Sequence, residues 1–178
     1  MTSSLNMFGL VALAVILIAS GVMYFLKEDL PKIYINEIMA NNTACCPDKE
    51  SGKDEFDDWI ELYNAGTVPV DIGGMYFSQD KDNPLGYHVP KTNSALTTIP
   101  PGGFLLLWAD GDPNQGPLHL KFKLAFGGEY IGIYHNDGRK IDGLKFQNQS
   151  ENVSYGRATD GGETWKEFAI PTPGKSNQ

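Results

Sequence analysis

Hydrophobic and polar positions divide the chain into two regimes. Residues 7–26, MFGLVALAVILIASGVMYFL, contain no Asp, Glu, Lys, Arg or His, and eleven of these twenty are Leu, Ile, Val or Phe. At a rise of 1.5 Å per residue, such a run forms ~30 Å of helix, the thickness of a bilayer's hydrocarbon core. The pattern predicts a transmembrane helix over 7–26, preceded by a short tail over 1–6. The competing reading is a cleaved signal peptide ending at Ala19-Ser20-Gly21. Against it, residues 1–6 lack a Lys or Arg, and the apolar run continues to Leu26.

Beyond Leu26 the pattern changes to short apolar runs separated by turn residues. Strands are expected at 33–38, 59–63, 68–72, 75–78, 87–89, 104–108, 120–124, 130–134, 144–146 and 154–157. Between them lie Gly73-Gly74, Pro100-Pro101-Gly102-Gly103, Gly127-Gly128 and Asp160-Gly161-Gly162, residues that favour turns. Asn136-Asp137-Gly138 signals a hairpin. In 59–63, Trp59, Glu61 and Tyr63 share one face of the strand, and Ile60 and Leu62 share the other. The aromatic face either meets solvent in part or buries Glu61 against a cation. The run 104–108 shows no alternation, which predicts a central strand covered on both faces. The whole reads as an all-β sandwich over 33–178, joined to the helix by a linker over 27–32 that spans at most ~20 Å.

Charge sharpens this division. All 22 acidic and 14 basic residues follow Leu26, so the net charge of −8 belongs to the sandwich and its linker. An acidic domain is a poor nucleic-acid ligand, because phosphates demand a basic patch. Its sign suits a protein partner or Ca²⁺. The two cysteines, Cys45 and Cys46, are adjacent. Their Cα atoms lie ~3.8 Å apart across a trans peptide, below the usual disulfide span of ~4.4–6.8 Å, so free thiols are favoured over a mutual bond.

Several motifs combine into a resemblance. Ile35-Asn36-Glu37-Ile38 opens the domain, and Asp58-Trp59-Ile60-Glu61-Leu62-Tyr63-Asn64 follows. Val70-Asp71-Ile72-Gly73-Gly74, Ile99-Pro100-Pro101-Gly102-Gly103, Gly127-Gly128-Glu129 and Ser154-Tyr155-Gly156-Arg157 come next. The series closes with Asp160-Gly161 and Pro171-Thr172-Pro173-Gly174 with Asn177. In this order the chain resembles the lamin tail domain family in its bacterial form. The resemblance implies an immunoglobulin-like β-sandwich that binds or scaffolds, without catalytic residues. It also implies an extracytoplasmic setting, since bacterial relatives occur as modules on exported proteins. The heptad rod and basic targeting cluster of animal lamins are absent from this sequence, so filament and nuclear functions do not transfer.

Candidate chemistry is sparse. The acidic loop carries Asp48, Glu50, Asp54 and Asp57 as candidate calcium ligands, although its spacing departs from an EF-hand loop. Glu37, Glu61 and Arg157 are expected to form a structural ion pair, since a buried carboxylate needs a partner. Trp165, in a polar stretch, is the candidate contact residue. No nucleophile elbow or comparable motif accompanies the serines, cysteines or the three histidines. No catalytic site and no cofactor other than calcium is therefore expected. Small residues Gly9, Ala12, Ala14, Ala19 and Gly21 offer a stripe for packing against other membrane helices. The expected function is a membrane-anchored, non-enzymatic accessory or structural subunit of a larger membrane assembly. It would have a single span in the cytoplasmic membrane, its domain on the periplasmic side, and integral or periplasmic proteins as partners. The alternative is an independent surface module for calcium or a glycan.

Overall fold

The computed structural model describes residues 28–49 and 54–177, together with the backbone of Val15–Leu17 and Met23–Phe25. The chain divides into two units, Met1–Leu30 and Pro31–Gln178. In the first, β1 (Val15–Leu17) and β2 (Met23–Phe25) pair antiparallel with Ile16 opposite Tyr24. These residues fall within the predicted helix 7–26, yet they are extended. No helix among the described residues is long and apolar enough to cross a membrane. The rest of that span lies outside the described residues, as do Gly9, Ala12, Ala14, Ala19 and Gly21. The structure therefore does not support the helix. An unbroken apolar run has no period to distinguish helix from strand, and Val15 and Ile16 are β-branched.

The second unit is all-β apart from one helical turn. Its elements are β3 (Ile33–Met39), β4 (Trp59–Asn64), β5 (Val70–Asp71), β6 (Tyr76–Ser78), β7 (Tyr87–His88), α1 (Ser94–Thr97) and β8 (Thr98–Ile99). They continue with β9 (Phe104–Trp108), β10 (Tyr130–Tyr134), β11 (Lys140–Lys145), β12 (Ser154–Arg157) and β13 (Trp165–Phe168). A five-stranded sheet runs β13-β12-β3-β4-β9, and a four-stranded sheet runs β11-β10-β6-β7. Strands β5 and β8 form a separate ribbon. The two larger sheets meet in one core. Ile33, Ile35, Ile38, Ile60, Leu62 and Leu107 come from the first, and Phe77, Ile131, Ile133 and Leu144 from the second. Each of these side chains contributes about 1.5–3 kcal/mol on burial.

The predicted hairpin is present. Asp137-Gly138 turns between β10 and β11, with Gly138 at φ +82° and the His135 N–H donating to the Arg139 carbonyl at 2.8 Å. Three strand expectations change. Strand β9 is an edge of the five-stranded sheet rather than its centre, and only Leu107 is fully buried. Its inward residues Leu105 and Leu107 join the core. Phe104, Leu106 and Trp108 sit opposite Tyr63, Glu61 and Trp59 and extend the outer aromatic face. The run is apolar because both faces are partly covered, which an edge strand also permits. Residues 120–124 do not form a strand. They belong to a turn-rich connection tied to β9 by bridges at His119 and Lys123. The polar stretch around Trp165 forms β13, paired with β12.

One irregularity sets up the candidate site. Strand β3 pairs Ile35 with Leu62 and Glu37 with Glu61, which leaves Asn36 as an extra residue in a β-bulge. The bulge brings Asn36 and Glu37 together opposite Glu61 on the outer face.

Candidate functional site

The outer face of the five-stranded sheet buries Glu37 and Glu61 completely. The sequence leaves two choices for Glu61, solvent or a cation, and the structure supplies a third. Segment 171–177 lies over both carboxylates and donates hydrogen bonds to them. The Thr172 N–H donates to Glu37 Oε1 at 3.1 Å, and its hydroxyl donates to Oε2 at 2.7 Å. The Ser154 hydroxyl donates to Glu37 Oε1 as well. Glu61 accepts from the Gly174 N–H at 2.5 Å and from Asn36 Nδ2 at 3.2 Å. Asn177 completes the closure. Its Nδ2 donates to the carbonyls of Asn36 at 3.2 Å and Arg157 at 2.7 Å. Asp160 accepts from Asn36 Nδ2 at 3.0 Å and the Asn177 N–H at 2.9 Å. Burial pushes the Glu61 carboxyl up to about 7, with Glu37 and Asp160 adding to the rise and the Gly174 and Asn36 hydrogen bonds opposing it. These two carboxylates are thus occupied by the chain itself.

Arg157 does not pair with either glutamate. Its Nη2 meets Asp142 Oδ2 at 2.8 Å, its Nε donates to the Ile35 carbonyl at 2.8 Å, and Nη1 donates to the Gly162 carbonyl. Strand parity explains the correction. Ser154 and Gly156 point to the outer face with Glu37, while Tyr155 and Arg157 point to the opposite side. The guanidinium lies 4.7 Å from the Trp165 ring and 5.1 Å from the Tyr34 ring. Trp165 stacks on Tyr155 at 5.3 Å and is half-buried, so the candidate contact residue also braces Arg157.

The acidic loop is rearranged relative to the expectation. Asp48 is buried, Asp57 half-buried and Asp54 exposed, while Glu50 lies outside the described residues. Carboxylate oxygens of Asp48, Glu55 and Asp57 lie within 4.8 Å of one another. Desolvation raises the Asp57 pKa, with the charges of Asp110, Glu55 and Asp48 adding to it and Lys123 opposing. A second group joins Asp48 to Asp110 and His119, all three buried. His119 Nδ1 lies 2.6 Å from Asp110 Oδ2 and 4.0 Å from Asp48 Oδ2. Asp110 and His119 were not legible as a pair, because Asp110 reads as the start of the Asp110-Gly111-Asp112-Pro113 turn and His119 stands singly. The aspartate after a strand and the histidine beside a glycine-proline turn give no spacing signal.

Cys45 and Cys46 are bonded to each other, contrary to the expected free thiols. Cys46 takes a φ of +56°, and Asn42 holds the turn by accepting from the Cys45 N–H at 2.9 Å and donating to its carbonyl at 2.8 Å. A cleft of about 190 Å³ lies beside β11, β12 and β13, lined in part by Lys145, Phe146, Gln149, Ser150, Tyr155 and Glu167. Gln149 accepts from the Ala40 N–H at 2.7 Å, while its own Nε2 is buried with no acceptor among the described residues.

A two-sheet sandwich with its carboxylates engaged by its own backbone defines a binding or structural domain of the immunoglobulin-like class. Residues 27–150 match the Lamin Tail Domain family, and the chain belongs to it. Comparison with curated proteins and with solved structures returns no match. The family match ends before β12, the strand next to β3 in the five-stranded sheet, and before the segment that covers Glu37 and Glu61.

Proposed function

We propose that the chain is a non-enzymatic accessory or structural subunit, held on a membrane by residues 7–26 and docked through its lamin tail domain on a larger membrane protein assembly. The observation that carries this reading is the uncharged run of twenty residues placed directly before the family domain. Such a run favours a bilayer by several kcal/mol (about −0.3 to −0.6 per apolar residue near the centre). The short linker keeps the acidic domain near the headgroups, where protein partners rather than anionic lipids are favourable to it. The engagement of Glu37, Glu61, Asp142 and Arg157 in structure supports a scaffolding role over acid–base chemistry. The periplasmic side is the side we propose for the domain, on the analogy of exported bacterial members of the family.

The test is extraction of native membranes in mild detergent. Migration with co-purifying integral or periplasmic subunits is the expected result. A lone species of about 20 kDa plus detergent argues against the reading, and protease protection in intact spheroplasts argues against the outward placement. A second reading, a surface module for calcium or a glycan, is favoured by the Asp48–Glu55–Asp57 group and by the cleft beside Tyr155. Calorimetric titration with Ca²⁺ and glycan-array binding distinguish it.

A further inference from the structure

We propose that Asp48, Asp110 and His119 form a buried site for a divalent transition-metal ion of the Zn²⁺ type, independent of which reading of the function holds. Three chain segments converge there: the stretch after the Cys45–Cys46 turn, the end of β9, and the connection that follows it. The three residues are 1%, 8% and 0% exposed, unlike an ordinary acidic loop in solvent. Their ligand atoms lie within 4.8 Å of one another. A tetrahedral ion with bonds of about 2.1 Å separates its ligands by about 3.4 Å. His119 Nδ1 is hydrogen-bonded to Asp110 Oδ2 at 2.6 Å and lies 4.0 Å from Asp48 Oδ2, so a bound ion replaces that proton, widens the first separation and narrows the second.

A second observation points to a cation at the same place. Gln115 donates through Nε2 to Asp110 Oδ2 at 3.3 Å. The carbonyl oxygen of that same amide is buried, with no hydrogen-bond donor among the described residues. Rotating the amide would set its oxygen against the Asp110 carboxylate instead. A cation held by Asp110 would remove that repulsion and give the oxygen a partner.

The donor set selects the metal class. Calcium and magnesium take oxygen ligands almost exclusively, whereas a mixed imidazole–carboxylate set suits zinc and its neighbours. Two carboxylates and a neutral imidazole carry a charge of −2, which a divalent ion offsets inside the fold. Glu55 and Asp57 stand beside Asp48 and strengthen the negative potential. Such an ion would clamp the loop after β3 to the connection after β9, with its fourth tetrahedral position left to the Gln115 carbonyl oxygen or to water.

The test uses the full chain in detergent, treated with chelator and titrated with Zn²⁺, Mn²⁺ or Ca²⁺ alone. One equivalent of Zn²⁺ is expected to bind and raise the melting temperature by several degrees. In the ¹⁵N spectrum of the wild-type imidazoles, the His119 ring is expected to shift while His88 and His135 stay in place. His119→Gln is expected to weaken Zn²⁺ binding by about 10–100-fold or more. Absence of stoichiometric Zn²⁺ binding, binding of Ca²⁺ alone, or a shift confined to His88 or His135 overturns the proposal. If His119→Gln does not fold, the wild-type titration and spectrum decide it.

Discussion

Glu61 carries its negative charge in a place that disfavours it. Its carboxyl, at 4.5 in the unfolded chain, rises to about 7 in the fold, with burial as the first cause. Between those values the folded protein holds a proton that the unfolded chain has released. Stability therefore falls as pH rises from 4.5 to 7, and this group adds no further change above that window. The raised value corresponds to about 3 kcal/mol as an upper figure, at 1.4 kcal/mol per pKa unit. Urea unfolding at pH 5 and pH 8 is expected to show a drop of this order in the wild type. Subtracting the Glu61→Gln profile isolates it, because the amide removes this slope. Arg157→Met is expected to cost about 1–3 kcal/mol, because it leaves the half-buried Asp142 with the Ile35 N–H and without the guanidinium. An equal loss from Glu37→Gln and Arg157→Met together with strong non-additivity would instead restore the glutamate–arginine pairing, and a double-mutant cycle measures it. The parity of 154–157 held this information in the sequence: Gly156 between Tyr155 and Arg157 puts the arginine across the sheet from Glu37. The Asp48–Asp110–His119 group held no such signal, since it depends on how two irregular connections fold back.

At the level of elements, strands with both a regular pattern and a flanking turn were legible. Strands β10 and β12 occupy the expected residues, and Asn136-Asp137-Gly138 turns where it should. Elements defined by partners were not. Residues 120–124 alternate like a strand but find only single bridges, and β13 is polar because it is an edge. The C-terminal segment is the least legible part, since its proline and glycine read as a loop and its hydrogen bonds reach back 135 residues in sequence to Glu37. Ending the chain after Ile170 removes the Thr172 and Gly174 donors from two buried carboxylates. The expected loss is at least about 3 kcal/mol, from the penalty of about 1–3 kcal/mol per unsatisfied buried group and more for a charged one. Urea unfolding of the truncated chain measures it, and unchanged stability would show that solvent replaces the segment at no cost. Gly156 enforces the same closure, since a Cβ there meets the Asn36 carbonyl at 3.0 Å and Asn177 Nδ2 at 3.1 Å.

For the whole molecule, the sandwich and the apolar N-terminal run are separate problems. Among the described residues, the hydrophobic core is drawn from Pro31–Gln178. Removing residues 1–26 is therefore expected to leave the melting temperature of the domain within about 2 °C, a change of no more than about 1 kcal/mol, and to free the protein from detergent. Differential scanning calorimetry checks the first outcome and carbonate extraction of membranes the second. A large loss of stability would mean that the run belongs to the fold.

The placement of β12 and of segment 171–177 has a further meaning for the order of events in a cell. Strand β3, the first of the sandwich, is flanked by β12, and its bulge carboxylate waits for Thr172. Pairing at such separation closes large loops late and slowly. A growing chain cannot complete this sheet until residues 154–157 and 171–177 have been added. The fold thus comes with its own delay, because its first strand waits for a partner and a cover made more than a hundred residues later.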